Sequence, residues 1–486
     1  MVTVGVMGMQ EPGGAGISRR RWLAGAGAGL GLLAANGRTG LRRWWAGAGL
    51  PAAGAGVLEP EGGHPESGID HIVVVMMENR SFDHFLGWLP GADGVQDTAT
   101  ARFPDRQGTL RANHHLTDPM GCGHPDPDHS YEGGRFQRHD GAMDNFARGR
   151  NDDYAVGFYT EADRPFLAAL ARHYTTCDAY FCSILGPTYP NRLFLHAAQT
   201  DRLRNTDATA TLPTIWDQLN APGGPTGRYY YSDLPILGLW GARYQAISGS
   251  YKEFLAGAAA GVLPNVAFVD PGFVGEIEGR SNDDHPHAHI GAGDAFLSEV
   301  FHALAGGPAW ERTVLVVTYD EWGGFYDHVS PPRATAGVAA GADPASGPDR
   351  DLVDGRPLLG FRVPCIVASP FSRSADPDDP VIDGALHDHT SVLKLIEWRF
   401  GLHPLTQRDG SDRPDDPQNL LTALRLDAPD PTVPAGIPRV DPPPPSSTGC
   451  PGHPQPPSPT IGGDGDEATW AALAAKARAD GWPAAG

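Results

Sequence analysis

Basic charge is scarce in this chain. Lys and Arg number 37 against 58 Asp and Glu, a formal net charge of −21. That balance lacks the basic face nucleic-acid binding requires, so no nucleic-acid partner is expected. It does not exclude an anionic substrate, because a bound cation reverses the field inside a single cleft. Cysteine is rare too: Cys122, Cys177, Cys182, Cys365 and Cys450 show no C-x-x-C spacing, which argues against a structural zinc site. Cys177 and Cys182 either pair outside the cell or stay as buried thiols, and the odd count leaves a thiol over. Long apolar runs are also missing. The stretch Ala24 to Ala35 is too short and too glycine-rich to span a membrane. No internal repeat is evident.

What is present points to a large α/β protein. The 63 Gly and 46 Pro imply many loops, while 40% apolar residues support a sizeable core. A length of 486 residues holds one large domain with insertions or two ordinary ones. Residues 1–55 read as a targeting segment and stand outside the fold. There, Ser18-Arg19-Arg20-Arg21-Trp22-Leu23 resembles a twin-arginine export signal, with small residues between Ala46 and Ala55 as cleavage sites. Loss of residues 1–50 removes six arginines and one glutamate, making the mature chain more acidic. The protein is therefore expected to be secreted or associated with the cell envelope. Residues 69–425 form the expected catalytic domain, 426–465 a Pro-rich linker that includes Pro442 to Pro445, and 466–486 a short C-terminal helix.

The stretch around Ile72 to Met77 organises the rest. Six consecutive apolar residues end abruptly in Glu78 and Asn79. Such a run reads as a strand buried on both faces, and in open α/β sheets chemistry gathers beyond the carboxyl ends of these strands. Thr313 to Tyr319 repeats the pattern and stops in Asp320 and Glu321, followed by Gly323 and Gly324. Adjacent carboxylates are costly unless exposed or neutralised, so the two strand ends together suit one divalent ion. Val266 to Asp270 and Val363 to Ser369 are further strands. Gly186-Pro187-Thr188 followed by Pro190-Asn191-Arg192 predicts a tight turn into a helix, with the Thr188 hydroxyl at its N-terminus, where backbone N–H groups favour a phosphate. A capping threonine is the plainer alternative. Helices are expected over Pro165–Tyr174, Thr214–Leu219, Gly293–Leu304 and from His387 to Phe400, the last capped by Asp388 or Thr390. His285, His287 and His289 alternate, which reads as a surface cluster, a zinc set or a single catalytic histidine. Residues 90–160 have little periodicity, as functional loops and lids do.

Four stretches together resemble the bacterial phospholipase C and acid phosphatase family. They are Glu78-Asn79-Arg80-Ser81-Phe82-Asp83, Thr188-Tyr189-Pro190-Asn191-Arg192, Asp320 through His328, and His387-Asp388-His389-Thr390-Ser391. The resemblance spans about residues 69–402. It implies an alkaline-phosphatase-like three-layer α/β sandwich with a mostly parallel central sheet and long loop insertions. It also implies a metal ion held by Glu78, Asn79, Asp320, Glu321 and Thr188, with Thr188 as nucleophile. His285, in Asp-His-Pro, and His129, in Asp-His-Ser, are implied to contact the phosphate or leaving group, while Asn191 and Arg192 brace the turn. Trp322 stands where many relatives carry His. The expected activity is hydrolysis of phospholipids to diacylglycerol and a phosphorylated head group, with transient contact at a membrane surface. Acid phosphatase action on small soluble monoesters and a non-catalytic surface protein are the alternatives. Carboxylates and an amide suit calcium, magnesium or manganese, though related folds use zinc.

Overall fold

In the computed structural model, residues 62–96, 101–335, 337, 349–444, 449–450 and 466–484 are described. The expected export segment, 1–55, lies outside them. Eight strands form one sheet: β1 (His71–Met77), β2 (Thr175–Cys177), β3 (Gly227–Tyr231), β4 (Ser248–Ser250), β5 (Val266–Asp270), β6 (Thr313–Tyr319), β7 (Cys365–Ala368) and β8 (Ile382–Asp383). Their spatial order is β8-β2-β7-β6-β1-β5-β3-β4. Neighbours are parallel except where β7 meets β6 and β2. The sheet is therefore mostly parallel, as expected.

The helices that carry the argument are α1 (Phe82–Leu86), α2 (Tyr131–Arg138), α3 (Pro165–His173), α4 (Thr188–Ala197), α5 (Tyr251–Ala260), α6 (Ile290–Ala305), α7 (His389–Phe400) and α8 (Asp466–Ala479). Helices α3 and α5 pack on α6, and α4 packs on α7, giving an α/β sandwich. The central strands explain themselves: every residue from Ile72 to Met77 and from Thr313 to Tyr319 is buried. A strand covered on both faces has no polar side to alternate with, hence its unbroken apolar run. Parallel register sets Met77 beside Tyr319. The next residues, Glu78 and Asp320, consequently leave the sheet side by side.

Local chemistry shifts some expected boundaries. Helix α6 begins at Ile290 because His289 caps it, its Nδ1 accepting from the Gly291 N–H at 2.9 Å. Asp388 caps α7, its carboxylate accepting from the Thr390 N–H while its own N–H donates to Ser391 Oγ, and Leu393 and Ile396 are fully buried. The Thr214–Leu219 helix contracts to a single 3₁₀ turn, Ile215–Asp217. Residues 90–160 are not uniformly irregular: they contain α2, and two short strand pairs form at Arg102–Pro104 with Leu110–Ala112 and at His114–His115 with Gly157–Phe158.

Cys177 and Cys182 do not pair with each other. Both are buried free thiols, as is Cys365, and the disulfide joins Cys122 to Cys450 across 328 residues. The Cys182 thiol donates to the Phe361 carbonyl at 2.9 Å. The described part of 426–465 is laid along the domain. Trp310 Nε1 donates to the Pro431 carbonyl, the Val440 N–H donates to Ser298 Oγ, and Ile437 is buried. Helix α8 stacks Trp470 on Phe273, and its Thr469 carbonyl accepts from Tyr189 Oη. No helix among the described residues is long and apolar enough to cross a membrane.

Candidate active site

The carboxyl ends of β1 and β6 and the start of α4 meet at one place. Thr188 is the first residue of α4, and its hydroxyl donates to Glu78 Oε2 at 3.3 Å. The other Glu78 oxygen accepts from Arg192, one turn along the same helix, at 3.0 and 2.5 Å. The Asn79 backbone N–H donates to Asp320 Oδ1 at 3.0 Å, and the Asp320 N–H donates to the Met77 carbonyl at 3.1 Å. Asn79 and Gly323 both adopt left-handed backbone, with φ of 59° and 63°. A Cβ on Gly323 would fall 2.0 Å from the Asn79 carbonyl oxygen, so only glycine lets the two strand tips close up. Gly324 abuts the Pro127 backbone in the same way. Thr188, Glu78, Asn79, Asp320 and Glu321, all buried, are thus brought together.

The electrostatics of this cluster favour a cation. Burial, and then the charge of Asp320, push the Glu78 carboxyl well above the usual carboxylate range. Burial works against the Arg192 charge, but Glu78, Asp320 and Asp270 more than offset it and raise its pKa. One guanidinium nevertheless touches three carboxylates: Asp320 Oδ2 lies 3.4 Å and Asp270 Oδ1 3.6 Å from it, in addition to Glu78. The Asn79 amide is the sharper test. Its outer end lies 3.1 Å from Asp320 Oδ1, 3.0 Å from Glu78 Oε2 and 2.8 Å from Glu321 Oε1. With nitrogen there, it donates to the carboxylates and its oxygen accepts from His285 Nε2 at 2.8 Å. With oxygen there, four oxygens face one another, an arrangement that a divalent cation among them would make favourable. Separations of about 3 Å are those of ligand oxygens around a small divalent ion. The residues therefore fit a divalent metal.

Two histidines border the cluster. His285 Nδ1 is held by the Pro286 carbonyl at 2.9 Å and by Glu276 Oε2 at 3.0 Å, which presents Nε2 to the cleft. His129 Nδ1 is held by the Pro127 carbonyl at 2.8 Å, and its Nε2 lies 3.9 Å from Glu321 Oε1. The two rings stand edge to face with centroids 5.9 Å apart. The alternating histidines neither gather on the surface nor chelate together. His285 enters the site, His287 Nε2 meets the His124 carbonyl, and His289 caps α6.

Some supporting residues had no local signal in the sequence. Glu276 lies nine residues before His285 in a loop, and only the fold sets it against Nδ1. His389 Nε2 donates to the Asp320 carbonyl at 2.7 Å, and burial pushes its pKa down to about 4, so the ring braces that strand tip as a neutral imidazole. Asn191 braces the turn as expected, its amide bonding the carbonyls of Ile184, Gly186 and Pro187. Arg192 does not: it is spent on the acidic cluster, although its position one turn after Thr188 was readable. Trp322 is buried, and its Nε1 donates to Gln137 Oε1 at 2.8 Å, so it fills the space under α2.

The sequence profile of the Phosphoesterase family matches residues 69–233 and 225–403. Phospholipase C B of Mycobacterium tuberculosis (strain ATCC 25618 / H37Rv) is 33% identical over 430 residues, covering 74% of this chain and 79% of that protein. Non-specific phospholipase C6 of Arabidopsis thaliana is 31% identical over 406 residues, covering 76% of each. Among solved structures, a protein in the alkaline phosphatase superfamily from Vibrio parahaemolyticus aligns over 53% of this chain and 63% of its own, at 12% identity and a TM-score of 0.32. That score is too low to assign the fold, which rests on the sheet itself. The matched segments contain every residue of the cluster around Thr188, and the chain accordingly belongs to the Phosphoesterase family and is a phosphoric ester hydrolase.

Proposed function

We propose that this protein is an exported, metal-dependent phospholipase C, which cleaves the glycerol-side phosphate ester of phospholipids through a phosphothreonine intermediate. The observation that carries the reading is the Thr188 hydroxyl, 3.3 Å from Glu78 Oε2 inside a buried set of oxygen donors. Glu78, Asn79, Asp320 and Glu321 would hold the metal beside Thr188. When bound, the metal lowers the cost of ionising a hydroxyl and neutralises charge on phosphoryl oxygens. Glu78 accepts the Thr188 proton's hydrogen bond and so aims an oxygen lone pair into the cleft. Thr188 passes its proton to Glu78 Oε2 as it attacks phosphorus, the bond to the glycerol oxygen breaks, and diacylglycerol leaves with a proton from His285. Glu276 orients that imidazole and stabilises it when protonated. A positioned acid of this kind contributes roughly 10²–10⁴-fold. Water then attacks the phosphothreonine, giving a proton to His285, and the phosphorylated head group leaves as Thr188 recovers its proton from Glu78. The names of the relatives support a phospholipid substrate, and the Arg19-Arg20 segment supports export.

The test combines substrate choice with trapping. The wild-type enzyme should release diacylglycerol from phosphatidylcholine, and rapid acid quench should leave labelled phosphate on a threonine. Thr188→Ala should lose both signals while keeping its circular dichroism spectrum and melting temperature. Turnover of p-nitrophenyl phosphate with none of the phospholipid would replace this reading by a soluble phosphatase. Undiminished rates in Thr188→Ala would remove that residue from the mechanism.

A further inference from the structure

A cavity of about 200 Å³ lies along α2, its lining including Asp128, Glu132, Phe136, Gln137, Arg148 and Arg150. It adjoins the candidate active site without sharing its ligands. Asp128 precedes His129, and Gln137 Oε1 accepts from Nε1 of Trp322, the residue after Glu321. Glu132 pairs with Arg204, whose neighbour Asn205 accepts from the Tyr189 N–H at 2.8 Å, one residue beyond Thr188. Gly149 has left-handed backbone, with φ of 67°, and a Cβ there would come within 2.9 Å of the Phe136 ring. Glycine thus lets the loop that carries both arginines lie against that ring.

The lining carries both signs of charge, and part of each is unspent. Arg148 Nη1 donates to Asn145 Oδ1 at 3.4 Å, and among the described residues neither Arg148 nor Arg150 pairs with a carboxylate. Glu132 Oε1 is held by Arg204, while its Oε2 is buried without a hydrogen-bond partner. Phe136 keeps 46% of its surface exposed, although an apolar ring gains by burial. Leu352 and Val353 are 47% and 51% exposed on a loop pinned to the same helix, where Tyr131 Oη donates to Asp349 Oδ1 at 2.6 Å and Arg135 pairs with Asp351. These are three of the six large apolar side chains exposed among the described residues, and such a concentration beside a cleft marks a contact surface. An anion alone would face Asp128 and Glu132, and a cation alone would face two guanidiniums. A zwitterion satisfies both signs, with a phosphate at the arginines and a quaternary ammonium against the Phe136 ring and the Glu132 carboxylate. The net charge of −21 also repels an anionic bilayer, which leaves a zwitterionic one as the surface this chain approaches.

We propose that the cavity along α2 binds the head group of a phosphatidylcholine molecule in the bilayer and docks the enzyme with its active site at the lipid surface, a role that rests on the phospholipid substrate proposed above. The occupant is a neighbouring lipid rather than the one being cleaved. The cavity supplies its own cations for a phosphate, whereas the reacting phosphate belongs at Thr188. Phe136, Leu352 and Val353 then enter the head-group layer, where partly apolar side chains are stabilised.

Sedimentation with sucrose-loaded vesicles measures docking of the full-length protein, with chelator present so that lipid is not consumed. Wild type should bind phosphatidylcholine vesicles more tightly than phosphatidylglycerol vesicles, and free phosphocholine should compete. Phe136→Ala and Arg148→Gln should each weaken binding roughly tenfold, the scale of one desolvated cation–π or charge-assisted contact. Their kcat on soluble p-nitrophenylphosphorylcholine should stay at the wild-type value, and Phe136→Trp should retain vesicle binding. Equal wild-type binding to both kinds of vesicle would overturn the docking site, as would undiminished binding in Phe136→Ala and Arg148→Gln, even if phosphatidylcholine is hydrolysed. Selective binding that depends on Phe136, with no turnover of any phospholipid, would sustain the site and overturn the phospholipase reading instead.

Discussion

Replacing Arg192 by glutamine removes the guanidinium that, among the described residues, touches all of Glu78, Asp320 and Asp270. The contacts to Glu78 are two-pronged and fully buried, at 3.0 and 2.5 Å. Removing one partner of a buried pair costs about 3–5 kcal/mol, because the remaining carboxylate is left without compensation. For a folded unit of roughly 400 residues, an unfolding entropy of about 2.1 cal/mol/K per residue converts this to a fall of ~3–6 °C in melting temperature. The loss should be largest in chelated protein, where Arg192 works alone against three carboxylates. Saturating divalent metal brings two further positive charges into the cluster, so the gap between variant and wild type should narrow. Differential scanning calorimetry with and without chelator measures both effects. Arg192→Lys, which keeps the charge but loses the fork, should fall between the two. A chelated Arg192→Gln protein that melts within about 1 °C of wild type would refute the argument that this cluster carries excess negative charge.

Three other perturbations test the site and its frame. Glu276→Gln should lower kcat with KM little changed, by no more than the roughly 10²–10⁴-fold a positioned acid supplies; steady-state kinetics should find Glu276→Gln combined with His285→Gln no slower than His285→Gln alone. The Cys122–Cys450 disulfide holds the loop that leads to His129 against the strand of chain containing Glu276, since the Cys450 N–H donates to the Ile277 carbonyl. Replacing both cysteines by serine should cost about 2–5 kcal/mol in chemical denaturation, and reduction of the wild type should cost the same. Burial raises the Asp270 pKa to about 6, only partly countered by Arg192. Its folded pKa thus exceeds its unfolded one, so the folded state binds more protons between about pH 4 and 6, and stability from this group falls as pH rises through that window. The difference amounts to about 3 kcal/mol. Asp270→Asn should remove that part of the slope in denaturation curves taken from pH 4 to 7.

The sequence by itself determined the central strands, since a run apolar on both faces has nowhere to go but the middle of a covered sheet. It also determined which side chains end those strands, and that Thr188 opens a helix after a Gly-Pro turn. Those features are local, written in runs and punctuation a few residues long. Register was not local. Only the pairing of Met77 with Tyr319 makes Glu78 and Asp320 neighbours, and only the left-handed Asn79 and Gly323 let their tips touch. The same holds for Glu276 on His285, His389 on the Asp320 carbonyl, and Cys122 with Cys450 rather than Cys177 with Cys182. Each joins segments whose separation in the chain carries no information about their separation in space. Arg192 shows the boundary most plainly: its helix position could be read in advance, but its three carboxylate partners come from three different strand ends, and burial together is what makes their charges matter.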